Sequence, residues 1–236
     1  LQDGQTTKAV KLLRAALRID PCFIPAVLIL TEQHLLDKRK QAAQRLIAKC
    51  WKSVPHPALV PLWETLAPEN KPKDPAVRLR WAEKLIKMNP DHVESYLAVA
   101  RTAIHDRLWG EARQFLKEAE AICLDHQIRV PAKLYKLWSE MEKDLGHTAE
   151  ADLFAEKAKD GAPDKAWICE ETGQIYDRWQ ALAPPHASFN TIRWREPLAP
   201  YNLGAVQRHR PRQEDLIMGA PQLMSGALTK AASKGI

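Results

Sequence analysis

Cys169, Thr172, Ala183 and His186 stand where two C-x-x-C knuckles would place the four ligands of a tetrahedral zinc ion. Such knuckles work because each tight loop presents two soft ligands to the same ion. Here Cys169 alone offers a thiolate and His186 is its one substitute. Thr172 and Ala183 serve in no usual structural zinc site, so the segment is expected to fold without a metal or other cofactor. Cys123 and His126 repeat the metal-like spacing as a lone pair. They read as a buried thiol at a helix end beside a solvated imidazole. No G-x-G-x-x-G, phosphate-loop lysine, H-E-x-x-H or G-x-S-x-G motif occurs, and nine glycines spread through 236 residues make no phosphate cradle. Catalysis has no support in these residues, and a non-enzyme is expected.

The elements that must carry these residues announce themselves by a repeat. Ala9, Leu13, Ala16 and Pro21 recur 34 positions later as Ala43, Ile47, Cys50 and Pro55. That period is similar to the tetratricopeptide (TPR) repeat, in which small residues let two helices approach and a proline closes the second. Ala112, Leu116 and Ala119 form a further second-helix trio, with Tyr96, Val99 and Ala100 on its first helix. A last unit reads Tyr135, Trp138, Ser139, Gly146, Ala151, Ala155, Ala158 and Pro163. Between Pro55 and Pro90 the pattern fails to align, because Pro61, Pro68, Pro72 and Pro75 shorten or bend its helices.

Apolar residues at three- and four-residue spacing predict helices over 7–19, 25–36, 40–52, 92–106, 109–123, 132–144 and 149–159. The expected fold is therefore all-α: a TPR-like solenoid of helical hairpins over 1–163. Residues 164–197 change character, with Trp167, Trp179, Phe189 and Trp194 among Gly173, Pro184 and Pro185, and predict short strands and turns in a degenerate ribbon-like segment. Residues 198–236 lack a periodic apolar face and are expected to be a disordered tail.

Composition narrows the function classes. Hydrophobic residues make up 45% and charged residues 27% of the chain, enough for a folded core. The net charge is +6, but residues 193–236 hold seven Lys or Arg against three Asp or Glu, so the body before them is nearly neutral. A nucleic-acid-binding solenoid would carry its basic excess along its groove, and that partner class is not expected. The longest apolar run, 23–30, includes Pro25 and is too short to cross a bilayer. Four scattered cysteines, Cys22, Cys50, Cys123 and Cys169, suit a reducing compartment. Residues 4–21 read as the turn and second helix of a repeat whose first helix is missing, which marks the chain as a fragment of a longer protein.

The repeats followed by Trp167, Cys169, Gly173, Trp179, Pro184, Phe189 and Trp194 resemble the HemY family of bacterial haem-biosynthesis-associated TPR proteins, in its alphaproteobacterial form. The resemblance implies a bacterial inner-membrane protein whose two membrane helices precede Leu1 and whose repeats lie on the cytoplasmic side. It implies an interaction scaffold whose protein or peptide partner is a haem-pathway enzyme, with no catalytic residue to transfer. The alternative it raises is a carrier that holds haem or a porphyrin in its helical groove. His92, His105 and His126 are the histidines available for that role, unaccompanied by any Cys-Pro dipeptide.

In a TPR solenoid the first helix of each unit lines the concave face. The register places there Leu28, Glu32 and Leu35; Glu94, Leu97, Arg101 and Ile104; and Lys133, Lys136, Glu140 and Lys143. Mixed apolar and charged lining suits a helix or extended peptide of a partner. The lysine and asparagine pattern of a carboxylate clamp is absent, since position nine holds Glu32, Arg101 or Glu140.

Overall fold

The computed structural model describes residues 2–68, 75–185 and 187–197. The predicted tail, 198–236, and His186 lie outside the described residues. The chain divides into two units, Leu1–Pro163 and Asp164–Ile236.

The first unit is a run of helices: α1 (Gln2–Ile19), α2 (Ile24–Leu36), α3 (Lys40–Trp51), α4 (Val60–Thr65), α5 (Pro75–Met88), α6 (Val93–His105), α7 (Trp109–Asp125), α8 (Ala132–Asp144) and α9 (Thr148–Asp160). They pack as the hairpins α2/α3, α4/α5, α6/α7 and α8/α9, with α1 against α2, α5 against α6 and α7 against α8. This is a TPR-like helical solenoid. The trios explain the packing. Ala43, Ile47 and Cys50 of α3, and Ala112, Leu116 and Ala119 of α7, are fully buried, because spacings of three and four put them on one face and small side chains admit the neighbouring helix. One continuous core joins Leu79 and Ala82 of α5, Leu97 and Ala100 of α6, Leu116 of α7, and Leu134, Trp138 and Met141 of α8.

The turns inside the hairpins α2/α3, α6/α7 and α8/α9 share one device. Lys38, Arg107 and Gly146 each sit at positive φ just past the first helix. The next residue's N–H then reaches back to the helix, as Arg39 to His34 O, Leu108 to Ala103 O and His147 to Glu142 O, at 2.7, 2.8 and 2.9 Å. This left-handed cap satisfies carbonyls that the helix end leaves open. Only Gly146 advertises it in the sequence.

The middle hairpin departs from the rest. A 3-10 turn, Pro57–Leu59, leads into α4, which is only six residues long. Pro61 lies in its first turn, where a missing N–H costs nothing, and Pro68 follows its end. Two aromatics replace the lost helix length. Trp63 of α4 stacks on Trp81 of α5 with ring centroids 4.7 Å apart, and both are buried. Trp51 ties this hairpin to its neighbours, its indole N–H shared between Leu85 O of α5 and Ser95 Oγ of α6, each at 3.1 Å.

The second unit holds β1 (Ala166–Cys169), β2 (Ile175–Tyr176), β3 (Leu182–Ala183), β4 (Ser188–Phe189) and β5 (Ile192–Arg195). An antiparallel sheet has the order β2-β1-β5, and β3 pairs with β4 as a separate hairpin. Trp167 of β1 lies opposite Trp194 of β5, with tilted rings 5.3 Å apart. Gly173, at φ +71°, turns the chain between β1 and β2.

Candidate partner-binding face

His92 precedes α6 in an extended conformation, and its Nδ1 accepts the Glu94 N–H at 3.1 Å, capping the helix. A histidine weighed as a haem ligand is thus a helix cap. His105 lies beside Asp106, which also takes Arg78 of α5 at 2.9 Å, and His126 is the exposed residue that ends α7.

The ten residues assigned to the groove separate into two groups. On α2, Glu32 is exposed while Leu28 and Leu35 are half-buried. On α6, Arg101 is exposed and Ile104 half-buried, and on α8 Lys136 and Glu140 are exposed, as is Lys143 beyond them. These side chains are wholly or partly accessible to solvent. Leu97 is not: it is fully buried, because α8 packs against α6 and Leu97 joins the core shared with Leu134 and Leu137. Glu94 is also corrected, at 2% exposure, since its carboxylate pairs with the half-buried Lys133 ammonium of α8. That ion pair links successive first helices beneath the surface, so Lys133 is occupied within the fold.

One contributor to the row of first helices was not foreseen. Glu64 of α4 accepts the Thr102 hydroxyl of α6 at 3.4 Å, joining the short hairpin to the next. Its signal was hidden by the prolines that prevented the middle unit from being aligned.

In the second unit the knuckle positions do not converge as ligands among the described residues. Cys169 is buried, and its Sγ lies 3.3 Å from Thr191 Oγ1. Burial pushes the thiol up, but hydrogen bonds from the Thr172 and Thr191 hydroxyls and from the Thr172 and Glu171 amides outweigh it, leaving the thiol below its ordinary value. Ala183 is buried and carries only a methyl group. Hydrogen bonds span the place: Tyr176 OH donates to Pro184 O at 2.6 Å, and Ser188 Oγ donates to the Glu171 carboxylate. No group of three or more metal-binding side chains occurs among the described residues.

Comparison with known proteins gives a relative at the sequence level. The chain is 26% identical, over 193 residues and 81% of its length, to a curated protein named "probable magnetosome protein Mms48" of Magnetospirillum gryphiswaldense. It spans 41% of that relative's length. Among solved structures it is similar to MamA, at 14% identity and a TM-score of 0.38 over 67% of this chain and 90% of that one. It is also similar to PilF of Pseudomonas aeruginosa, at 18% identity and a TM-score of 0.36 over 67% of this chain and 70% of that one. No family model matches the chain.

These findings overturn the resemblance to the HemY family. The relative is named for the magnetosome, and nothing found connects the chain with haem synthesis. The misreading has a physical source. Trp167 facing Trp194 across β1 and β5, and Gly173 turning the chain from β1 to β2, serve one small antiparallel sheet, so the spacing encodes the local fold rather than a pathway. The haem-pathway enzyme as partner and the porphyrin-carrier alternative rested on that resemblance and fall with it. The inner-membrane placement with a cytoplasmic repeat region is corrected on the same ground; among the described residues no helix is long and apolar enough to cross a membrane.

Proposed function

We propose that this chain is a protein-docking scaffold whose row of first helices, α2, α4, α6 and α8, receives a helix or extended segment of a partner protein. The observation that carries the reading is the mixed, solvent-accessible lining of that row: Glu32, Arg101, Lys136 and Glu140 beside the half-buried Leu28, Leu35 and Ile104. Apolar anchors flanked by charges are what peptide recognition by a helical groove requires. On this reading the chain carries out no catalysis.

The 26% identity to a probable magnetosome protein supports placing the partner among the components of a magnetosome-type assembly. The test is capture of magnetosome-fraction proteins by the chain, with and without charge reversal at Arg101 and Lys136. The expected result is one identified partner retained by the parent and lost by the variant. Equal capture by both removes the row as the docking face.

A further inference from the structure

A cleft of about 300 Å³ opens between the two helices of the last hairpin. Its floor is made of small groups, Ser139 of α8 with Ala155 and Ala158 of α9, and its rim carries Lys136, Lys143 and Lys159 with the Glu140 carboxylate, Lys159 being paired with Glu156 beside the rim. At 100° per residue, Lys136, Ser139, Glu140 and Lys143 lie on the side of α8 opposite Leu134, Leu137, Trp138 and Met141, which pack into the shared core. The cleft therefore lies outside that core; it shares Lys136 and Glu140 with the row of first helices and differs from the row in that half of its wall is α9.

We propose that this cleft binds an acidic peptide segment of a partner protein. Three ammonium groups around a small opening favour carboxylates, and the short floor side chains let a peptide backbone lie close. The Glu140 carboxylate only accepts and so calls for a hydrogen-bond donor, which peptide N–H groups supply and a phosphate group does not, while the Ser139 hydroxyl donates or accepts. The ion pair of Lys159 with Glu156, at 2.6 Å, is exposed on both sides and exchanges readily for an incoming carboxylate. Segments of this chain are poor occupants. Helix α1 carries Lys8, Lys11, Arg14 and Arg18 against Asp3, and 198–236 is basic too. A volume at the small end of the range for ligand pockets accommodates anchoring side chains rather than a folded domain. The proposal rests on the scaffold reading only in taking the partner to be a protein.

The probe is fluorescein-labelled octaglutamate, titrated with the full chain at low salt and followed by anisotropy. Saturable binding is expected, weakened at least about 10-fold by Lys143→Glu with Lys159→Glu and unchanged by Lys49→Glu with Lys52→Glu, exposed at the end of α3. No saturable binding, or equal loss in both double variants, overturns the proposal. So does octathymidylate competing as well as unlabelled octaglutamate, which makes the cleft a general anion patch. Self-association of the parent that disappears in the cleft variant also overturns it and assigns the cleft to a second copy. Lys136 lines both faces, so Arg101→Glu alone, which leaves the cleft intact, is set beside the Lys143 and Lys159 variant, which leaves Arg101 intact, and failure of the cleft and failure of the row are read separately.

Discussion

Trp63 and Trp81 bond each other twice: the indole N–H of Trp63 donates to Trp81 O at 3.1 Å, and that of Trp81 to Trp63 O at 2.8 Å. The stacked rings close the shortest hairpin of the solenoid, where α4 has too few residues to bury a full helical face.

Trp63→Phe keeps an aromatic ring but removes the second donor to Trp81 O, a carbonyl inside α5. A loss of about 0.5–1.5 kcal/mol is expected. Trp63→Ala, which also opens a cavity, should lose about 3–5 kcal/mol. Denaturant unfolding of the two variants measures both, and a Phe variant as stable as the parent would show that the Trp63 N–H bond contributes nothing.

Ala112→Asp and Ala155→Asp test the register of the repeats from two sides. The first buries a carboxylate at a fully enclosed position and should cost more than about 4 kcal/mol. Sequence spacing alone makes the two sites equivalent. Ala155, however, is only half-buried and lines the lysine-rimmed cleft, so its variant should stay within about 1 kcal/mol of the parent. Thermal melts of the pair decide the matter.

Much of the solenoid was legible in the sequence because small-large-small trios at helical spacing can serve little else than close helix packing. The trio of α7 and the span of α6 are direct examples. What stayed hidden was chemistry made by tertiary proximity. Nothing local shows that Lys38 and Arg107 take the left-handed conformation that Gly146 takes with ease, or that Glu94 meets Lys133 and leaves the surface. The candidate face was read from register alone. Register assigns a residue to a side of a helix, but not to the depth at which a neighbouring helix covers it, and Leu97 shows the difference.

Glu142 makes stability depend on pH. Burial pushes its carboxyl up, but hydrogen bonds from His147 and from Arg113, together with the Arg113 charge, outweigh this and leave it below the usual carboxylate value. A lowered folded value means that the stabilisation is complete above the ordinary value of 4.5 and is lost as pH falls through the folded one. Glu142→Gln should therefore be less stable than the parent at neutral pH, with the gap narrowing in acid. A gap that stays constant down to the acid transition would assign the loss to packing.

Charge reversal at both Arg101 and Lys136 should leave stability within about 0.5 kcal/mol per site, since both are exposed, while partner capture weakens. Capture and melting measured on the same preparation are sufficient. Loss of both would mean that these residues hold the solenoid together.

The chain leaves α9 beside the point where it enters α8. Ala132 N–H bonds Ala162 O at 2.9 Å, Ala162 N–H bonds Val130 O at 2.8 Å, and Arg129 reaches Asp160 O at 2.9 Å. Gly161 passes so close that a Cβ there would lie 2.7 Å from Ala132 Cα. The last hairpin is therefore a loop tied at its neck. Tension arriving through residue 164 meets these bonds before it reaches α9, and they give it a path into 129–132. The neck of the final hairpin is therefore loaded ahead of its helices when the chain is pulled from that side.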